Sequence, residues 1–374
     1  MSQKGQEQTY VSSSLLLIPP RSGYLHGYSF FGNKISSIPL IGMKKFIAVG
    51  AFVLSFGHCN VSFSDTGSFG ETPLTSDEIN AAEFSDVLPE GVSALTAKLQ
   101  VLLDRAGSNP GVIDGVAGEN VTKAIRGFEE ITGLDVNGIM NQDLWERLRS
   151  PVPVSLTYII TAQDLDKMID SVPQDYSEMA KMQWLGYTSG AEALAEKFHM
   201  DQNFLISLNP LARFIAGERI VVINPGEQAP IAVSRIVADK MNERLVIYDE
   251  NDRPAIIYPA TIGSDSTPSP QGTHEITGVA VFPTYAYNPD INFQQAENSE
   301  MLTIPAGPNG PVGSTWIDLT EPTYGIHGTP EPSKISKSSS HGCVRLTNWD
   351  AAELGRLVKP GIVVTFIEAS NSLY

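Results

Sequence analysis

The 374-residue chain has only two cysteines and six histidines. One cysteine, Cys59, falls in what reads as a removable leader, so the mature chain would own a single thiol, Cys343. A lone thiol in an oxidising compartment is a liability unless its reactivity is used. Basic side chains are also scarce: 25 Lys and Arg against 42 Asp and Glu give a net charge of −17. Without residues 1–64, which carry five basic side chains and one acid, the charge is −21. Such a surface repels phosphate backbones and anionic lipid, which excludes nucleic acid as a natural partner. The apolar run Phe46–Phe56 is too short to span a bilayer stably, so no membrane insertion is expected once the leader is gone. What remains, 42% hydrophobic, can bury a sizeable core.

That apolar run follows Met43-Lys44-Lys45 and precedes the small residues of Ser62-Phe63-Ser64. This is the pattern of a cleavable secretory signal, and the leader is placed at 1–64, with Met43 an alternative translation start. Export to the periplasm or cell envelope is expected. Residues 65–92, rich in Ser, Thr, Gly and acids, read as a flexible linker. From 93 to 150 the spacing is helical: Leu95, Leu99, Leu102 and Leu103; then Val121, Ile125 and Phe128; then Leu144 and Leu148. Asp114-Gly115 marks a turn between the first two helices. Pro151-Val152-Pro153 reads as a stiff hinge.

Over 154–228 two strands, near Tyr158 and at Gly217–Ile223, flank helices at Ala191–Phe198 and Gln202–Leu208. About 30 residues between Tyr158 and Ala191 belong to neither. From 229 to 374 the texture is β-rich, with many short strands and turns, as in a sandwich or barrel. Glu250-Asn251-Asp252 turns a hairpin, and one helix is expected at Asn348–Leu357, capped by Thr347 or Asn348.

The chemistry concentrates in His327-Gly328 and in Ser340-His341-Gly342-Cys343-Val344-Arg345. An imidazole within reach of a thiol takes its proton, and the resulting ion pair is expected to persist near neutral pH. His327 and His341 both qualify. Gly342 would let a substrate carbonyl approach the backbone, with the N–H groups of Gly342 and Cys343 as oxyanion donors. The Arg345 fork suits a carboxylate. Zinc is the competing use of these side chains, but their spacing matches no common closed zinc pattern.

These residues resemble the L,D-transpeptidase signature: a histidine, a spacer, Ser/Thr-His-Gly-Cys, and a following Arg or Asn. Thr267-Pro268-Ser269-Pro270-Gln271-Gly272-Thr273 and Tyr287-Asn288-Pro289 are similar to further segments of that family. Leu99-Gln100, Asp114-Gly115, the helix through Ala124 and Phe128, and Gly133–Gly138 resemble a peptidoglycan-binding module. Leu205–Pro210 with Gly217–Ile223 is similar to half of a LysM repeat, although a docking domain that shapes the catalytic cleft fits that stretch equally. The fold class implied is multidomain α+β. A mainly-β, sandwich-like catalytic domain (229–374) follows a small three-helix peptidoglycan-binding domain (93–150) and a LysM-like βααβ segment (154–228).

The resemblance implies that Cys343 is the nucleophile and His327 the base, oriented by a backbone carbonyl near Gly328. His341, Gly342 and Cys343 would shape the oxyanion hole, and Arg345, Ser340, Gly328 and Tyr287 would contact substrate. It implies cleavage of a tetrapeptide stem at its L,D bond and transfer to an amine, giving a 3–3 cross-link in peptidoglycan. It also implies inhibition by carbapenem-type β-lactams and no metal or cofactor. Resolution by water or a lipoprotein lysine is the alternative within the same chemistry. A non-catalytic wall-binding protein is the alternative outside it.

Overall fold

The computed structural model describes residues 73–226, 230–264, 267–291, 293–338, 340 and 342–368. The leader expected at 1–64 and His341 lie outside them. Order begins earlier than the composition implies. Helix α1 (Ser76–Ala81) starts at a capping box, in which Thr75 Oγ1 accepts from the Glu78 amide and the Glu78 carboxylate accepts from the Thr75 amide. Ile79 is fully buried against the helices that follow. The linker expected over 65–92 is therefore structured from Thr75 onward, because a four-residue cap and one core side chain outweigh a polar composition.

Helices α2 (Ala94–Arg105), α3 (Glu119–Thr132) and α4 (Gln142–Leu148) bury the spaced apolar residues named above. Gln100 holds the turn between α2 and α3, accepting from the Gly115 amide at 2.8 Å and donating to Asp114 Oδ1 at 2.8 Å. Next come β1 (Ser155–Ile159), α5 (Tyr176–Met179), α6 (Gly190–Lys197), α7 (Gln202–Leu208) and β2 (Arg219–Ile223), with β1 antiparallel to β2. This segment does not stand apart. Leu99, Leu103 and Trp145 share one core with Ile160, Leu194, Phe204 and Val222. The expected hinge at Pro151–Pro153 is clamped, since the Arg105 guanidinium donates to the carbonyls of Val152 and Pro153 at 3.0 and 2.8 Å.

The catalytic region is a nine-stranded sheet. Its strands are β3 (Val233–Asp239), β4 (Arg244–Asp249), β5 (Pro254–Pro259), β6 (Thr261–Ile262), β7 (Gly272–Val281), β10 (Thr315–Leu319), β11 (Gly325–His327), β12 (Val344–Arg345) and β13 (Val363–Ile367). The order is β5-β4-β3-β13-β7-β10-β11-β12-β6. A separate hairpin is formed by β8 (Tyr285–Tyr287) and β9 (Leu302–Ile304).

Strand β7 belongs to both halves of the large sheet: residues 272–275 pair with β13 and residues 276–281 with β10. At the far ends, β5 runs into β6 through the buried Ala260, so the sheet must curl until its two edges are one chain segment apart. Ile236, Ile247, Ile317, Ile326 and Val364 fill the interior. Helix α8 (Asn348–Leu357), capped by Thr347 Oγ1 on the Asp350 amide, covers it.

The upstream helices cover the exposed edge at β5. The Ile257 amide donates to the Gly107 carbonyl at 2.7 Å, and the Asn109 amide donates to the Ile257 carbonyl at 2.9 Å. Among the described residues no helix is long and apolar enough to cross a membrane.

If residues before 92 belong to the fold, Ile79→Ala should lower the unfolding free energy by about 2–4 kcal/mol, read by denaturant titration, because it empties a filled site. A neutral result would return the segment to a linker.

Candidate active site

Three neighbouring short strands build the site. β10 runs antiparallel to β11, pairing Trp316 with His327, while β11 and β12 are parallel, pairing Ile326 with Val344 and His327 with Arg345. Ile317, Ile326 and Val344 are fully buried in the sandwich interior. Side chains alternate along a strand, so Trp316, His327 and Arg345 share the opposite face, with Cys343 one repeat before Arg345.

His327 is buried and lies flat against Trp316, with ring centroids 5.5 Å apart and an interplanar angle of 18°. Its Nδ1 is 2.6 Å from the Gly328 carbonyl. A carbonyl only accepts, so Nδ1 carries the hydrogen and Nε2 keeps its lone pair. Burial pushes the imidazole pKa down to about 4; the Gly328 carbonyl opposes this and the Arg345 charge adds to it.

Cys343 is half-buried, and its S–H donates to the Thr323 carbonyl at 3.8 Å. Thr323 has φ +72°, a strained conformation for a β-branched residue, which costs on the order of 1–3 kcal/mol. Burial pushes the thiol pKa up, against the lowering effects of the Gly325 backbone and the Arg345 charge. Both partners are therefore neutral near pH 7. Burial thus disfavours the charged form of both groups and works against the thiolate–imidazolium pair expected from the sequence.

Gly342 has φ +108°, and a Cβ there would stand 2.7 Å from the Tyr324 ring. Its amide donates to Ser340 Oγ at 3.3 Å, so the first of the two expected oxyanion donors is engaged within the turn. Ser340, expected to touch substrate, is sealed inside this turn. Its hydroxyl donates to the Cys343 carbonyl at 2.6 Å and accepts from the Gly263 amide at 2.7 Å. The Thr267–Thr273 segment braces the turn, with Thr267 Oγ1 donating to the Ser340 carbonyl at 2.9 Å.

Tyr287, also expected at the substrate, is only 1% exposed. Its hydroxyl donates to the Asn298 carbonyl and accepts from the Gln295 amide, so it props the β8–β9 hairpin. Tyr285, two residues earlier, is close enough to Cys343 for their charges to couple. Burial pushes its pKa up, and the charges of Tyr176 and Cys343 add to that shift.

Arg345 opens onto a cavity of about 670 Å³. A second cavity of about 640 Å³, lined by Tyr285, Ile291, Met301, Trp316 and Thr323, lies where the supports of His327 and Cys343 meet solvent. His274, on β7, sits apart and contacts the Gln271 carbonyl. Among the described residues no His, Cys, Asp and Glu cluster is suited to a metal ion.

Two positioning groups gave no signal in the sequence. Asn348 Oδ1 accepts from the Ser314 amide at 2.9 Å and occupies the space that a Cβ on Gly328 would need, 2.1 Å away. Its Nδ2 donates to Glu196 Oε1 at 2.9 Å, a residue from α6. Glu196 also accepts from the Tyr187 hydroxyl at 2.7 Å, and burial pushes its pKa up to about 7.

The L,D-transpeptidase catalytic domain model, YkuD, matches residues 233–365, and a peptidoglycan binding domain model matches 93–148. YkuD of Bacillus licheniformis is 30% identical over 177 residues, 46% of this chain and 91% of its own length. YbiS of Escherichia coli is 29% identical over 189 residues, 49% of this chain and 61% of its own. A solved L,D-transpeptidase from Mycobacterium smegmatis aligns at 18% identity and TM-score 0.30, covering 40% of this chain and 66% of that one. The chain belongs to the L,D-transpeptidase family, and it carries a peptidoglycan-binding domain upstream of its catalytic domain.

Two outcomes follow from the protonation states. Iodoacetamide labelling of Cys343 at pH 7 should be no faster than that of free cysteine and should climb above pH 9; a rate plateau reached below pH 7 would mean a thiolate stored at rest. The folded-state pKa of Glu196 lies above its unfolded value, so its contribution to stability is complete below about pH 4.5 and lost as pH rises through about 7. Glu196→Gln should accordingly flatten the decline of Tm between about pH 5 and 8. An unchanged slope would show that Glu196 does not titrate there.

Proposed function

We infer that the protein is an exported cysteine L,D-transpeptidase acting on peptidoglycan in the periplasm or cell envelope. The observation that carries this reading is the register of β11 and β12, which sets the free Nε2 side of His327, the Arg345 cation and the Cys343 thiol on one face.

The chemistry starts from neutral partners. As the sulfur attacks the carbonyl carbon of the stem's L,D bond, its proton passes to His327 Nε2. The resulting oxyanion is met by the Cys343 amide, and the imidazolium is stabilised at its other nitrogen by the Gly328 carbonyl. Collapse breaks the C–N bond. His327 returns the proton to the departing D-alanine amine, leaving a Cys343 thioester. An acceptor amine then attacks the thioester and yields its proton to His327, and a 3–3 amide link and free thiol result. Substrate binding dries the site further, which favours transfer at the moment of attack over a standing ion pair. Arg345 is the carboxylate clamp, and the peptidoglycan-binding domain at 93–148 holds the enzyme to its polymer.

Incubation with a carbapenem should give one covalent adduct on Cys343 by intact mass and peptide mapping. Cys343→Ala should abolish the adduct, and His327→Ala should slow it by at least about 10²-fold with the melting curve intact, the range for losing a general base. His341→Ala should keep partial activity. An adduct on another residue, or full stem turnover by Cys343→Ala, would refute the assignment. Muropeptide masses separate the acceptors: D-alanine loss without dimers would mean that water resolves the thioester.

A further inference from the structure

The residues between β1 and α6 that a βααβ unit does not need are not surplus loop. They leave their own module and pack on the β8–β9 hairpin of the catalytic domain. The Leu185 amide donates to the Ala306 carbonyl at 2.9 Å, and the Asn309 amide donates to the Leu185 carbonyl at 3.0 Å. The approach is so close that a Cβ on Gly307 would lie 2.1 Å from the Leu185 carbonyl oxygen. Further along, Gln295 Oε1 accepts from the Tyr176 amide at 3.2 Å, and Asn298 Nδ2 donates to Asp175 Oδ1 at 3.1 Å. Leu185 joins Tyr287 and Ile304 in an apolar cluster to which Val172, Tyr176 and Met179 add.

The Tyr176 ring stands edge-on to Tyr285 and Tyr287, with centroids 6.0 and 5.2 Å away. Its hydroxyl lies within the field of the Arg345 charge, which also reaches Cys343 and His327. The cavity of about 670 Å³ onto which Arg345 opens is built jointly: Val172, Tyr176 and Met179 on one side, Thr329, Glu331 and Arg345 on the other. The upstream segment thus supplies one wall of the cavity that holds Arg345.

We propose that residues 166–186 form the specificity wall of the substrate cleft, enclosing with Arg345 a pocket for a carboxylate-bearing peptide, with Tyr176 as the wall residue that contacts it. The proposal deepens the transpeptidase reading and rests on it. Arg345 supplies the fork for the carboxylate, the Tyr176 hydroxyl a second donor, and Val172 and Met179 an apolar floor for the peptide backbone and methylenes. In a two-substrate transfer the carboxylate belongs either to the leaving D-alanine of the donor stem or to the acceptor stem. Ping-pong kinetics separates the two, because each substrate has its own KM.

The test uses the full chain with Tyr176→Phe, which keeps the ring, and Tyr176→Ala, which removes it. D-alanine release and dimer formation are followed with a tetrapeptide stem as donor and a second stem as acceptor. Tyr176→Phe should raise one of the two KM values about threefold, and Tyr176→Ala about tenfold or more, the usual size of one lost hydrogen bond and one lost contact surface, with kcat nearly constant. Iodoacetamide labelling of Cys343 and the melting curve of Tyr176→Phe should match the parent, because that reagent is too small to need the pocket. A raised donor KM assigns the pocket to the leaving carboxylate, and a raised acceptor KM assigns it to the incoming stem. Both KM values unchanged in Tyr176→Ala, in an enzyme that still releases D-alanine, would overturn the proposal and leave the transpeptidase reading standing. A parent enzyme that releases no D-alanine would overturn both.

Discussion

The site depends on the parallel pairing of two very short strands, Gly325–His327 and Val344–Arg345. Pairs this short hold little by themselves and need support on every side. Trp316 supports β11 from β10, Thr261 and Ile262 pair with β12 from its other edge, and the Leu346 amide closes the ladder on the His327 carbonyl at 2.8 Å. The turn ahead of β12 is cross-tied through Ser340 to Gly263 and Cys343. A slip of one residue would send Cys343 and Arg345 into the sandwich interior and Val344 out to solvent. The buried Ile326 and Val344 make such a slip costly, so the hydrophobic core is what aims the thiol.

Burial of the same strands decides the chemistry. A sulfur and an imidazole held largely out of water both prefer to be neutral, and Arg345 reverses this for neither. The arrangement keeps the thiol unreactive at rest, since reactivity follows the thiolate fraction. In the mechanism proposed above, the proton leaves the sulfur for His327 only as the attack on the carbonyl proceeds. Thr323, strained and facing the sulfur, is the kind of backbone feature that clusters at working sites and persists because its surroundings over-determine it.

The upstream modules serve as part of the catalytic scaffold as well as carrying a wall-directed domain. They share one core, cover the β5 edge, and meet α8 through Asn109, whose amide donates to both Asp104 and Asp350 at 2.7 Å. Asp350 is buried and pushed strongly toward its neutral form by desolvation. Through Glu196 and Asn348 the same modules reach the backbone at Gly328, whose carbonyl holds His327 Nδ1. The position of His327 is thus set in part by residues of the upstream segment.

Much of this was legible in the residues. The cysteine of Ser340–Cys343, the two histidines near it and the glycine beside it are local features, as are the helical spacing of Leu95–Leu103 and the turn at Asp114-Gly115. Local pattern also misled: Ser340 and Tyr287 stand in the right motifs but spend their hydroxyls on the turn and the hairpin. Thr75 and Ile79 were hidden in a composition that reads as spacer.

What the sequence alone determined was the chemistry available, the family it belongs to, and the alternation that builds strands and helices, because each is written in neighbouring residues. The tertiary structure decided which groups meet: Tyr176 on Gln295, Glu196 behind Asn348, Asn109 against Asp350. These partners lie 119, 152 and 241 residues apart. It also decided the charge state of the thiol and imidazole, since desolvation depends on what the rest of the chain packs around them and no spacing of residues encodes that.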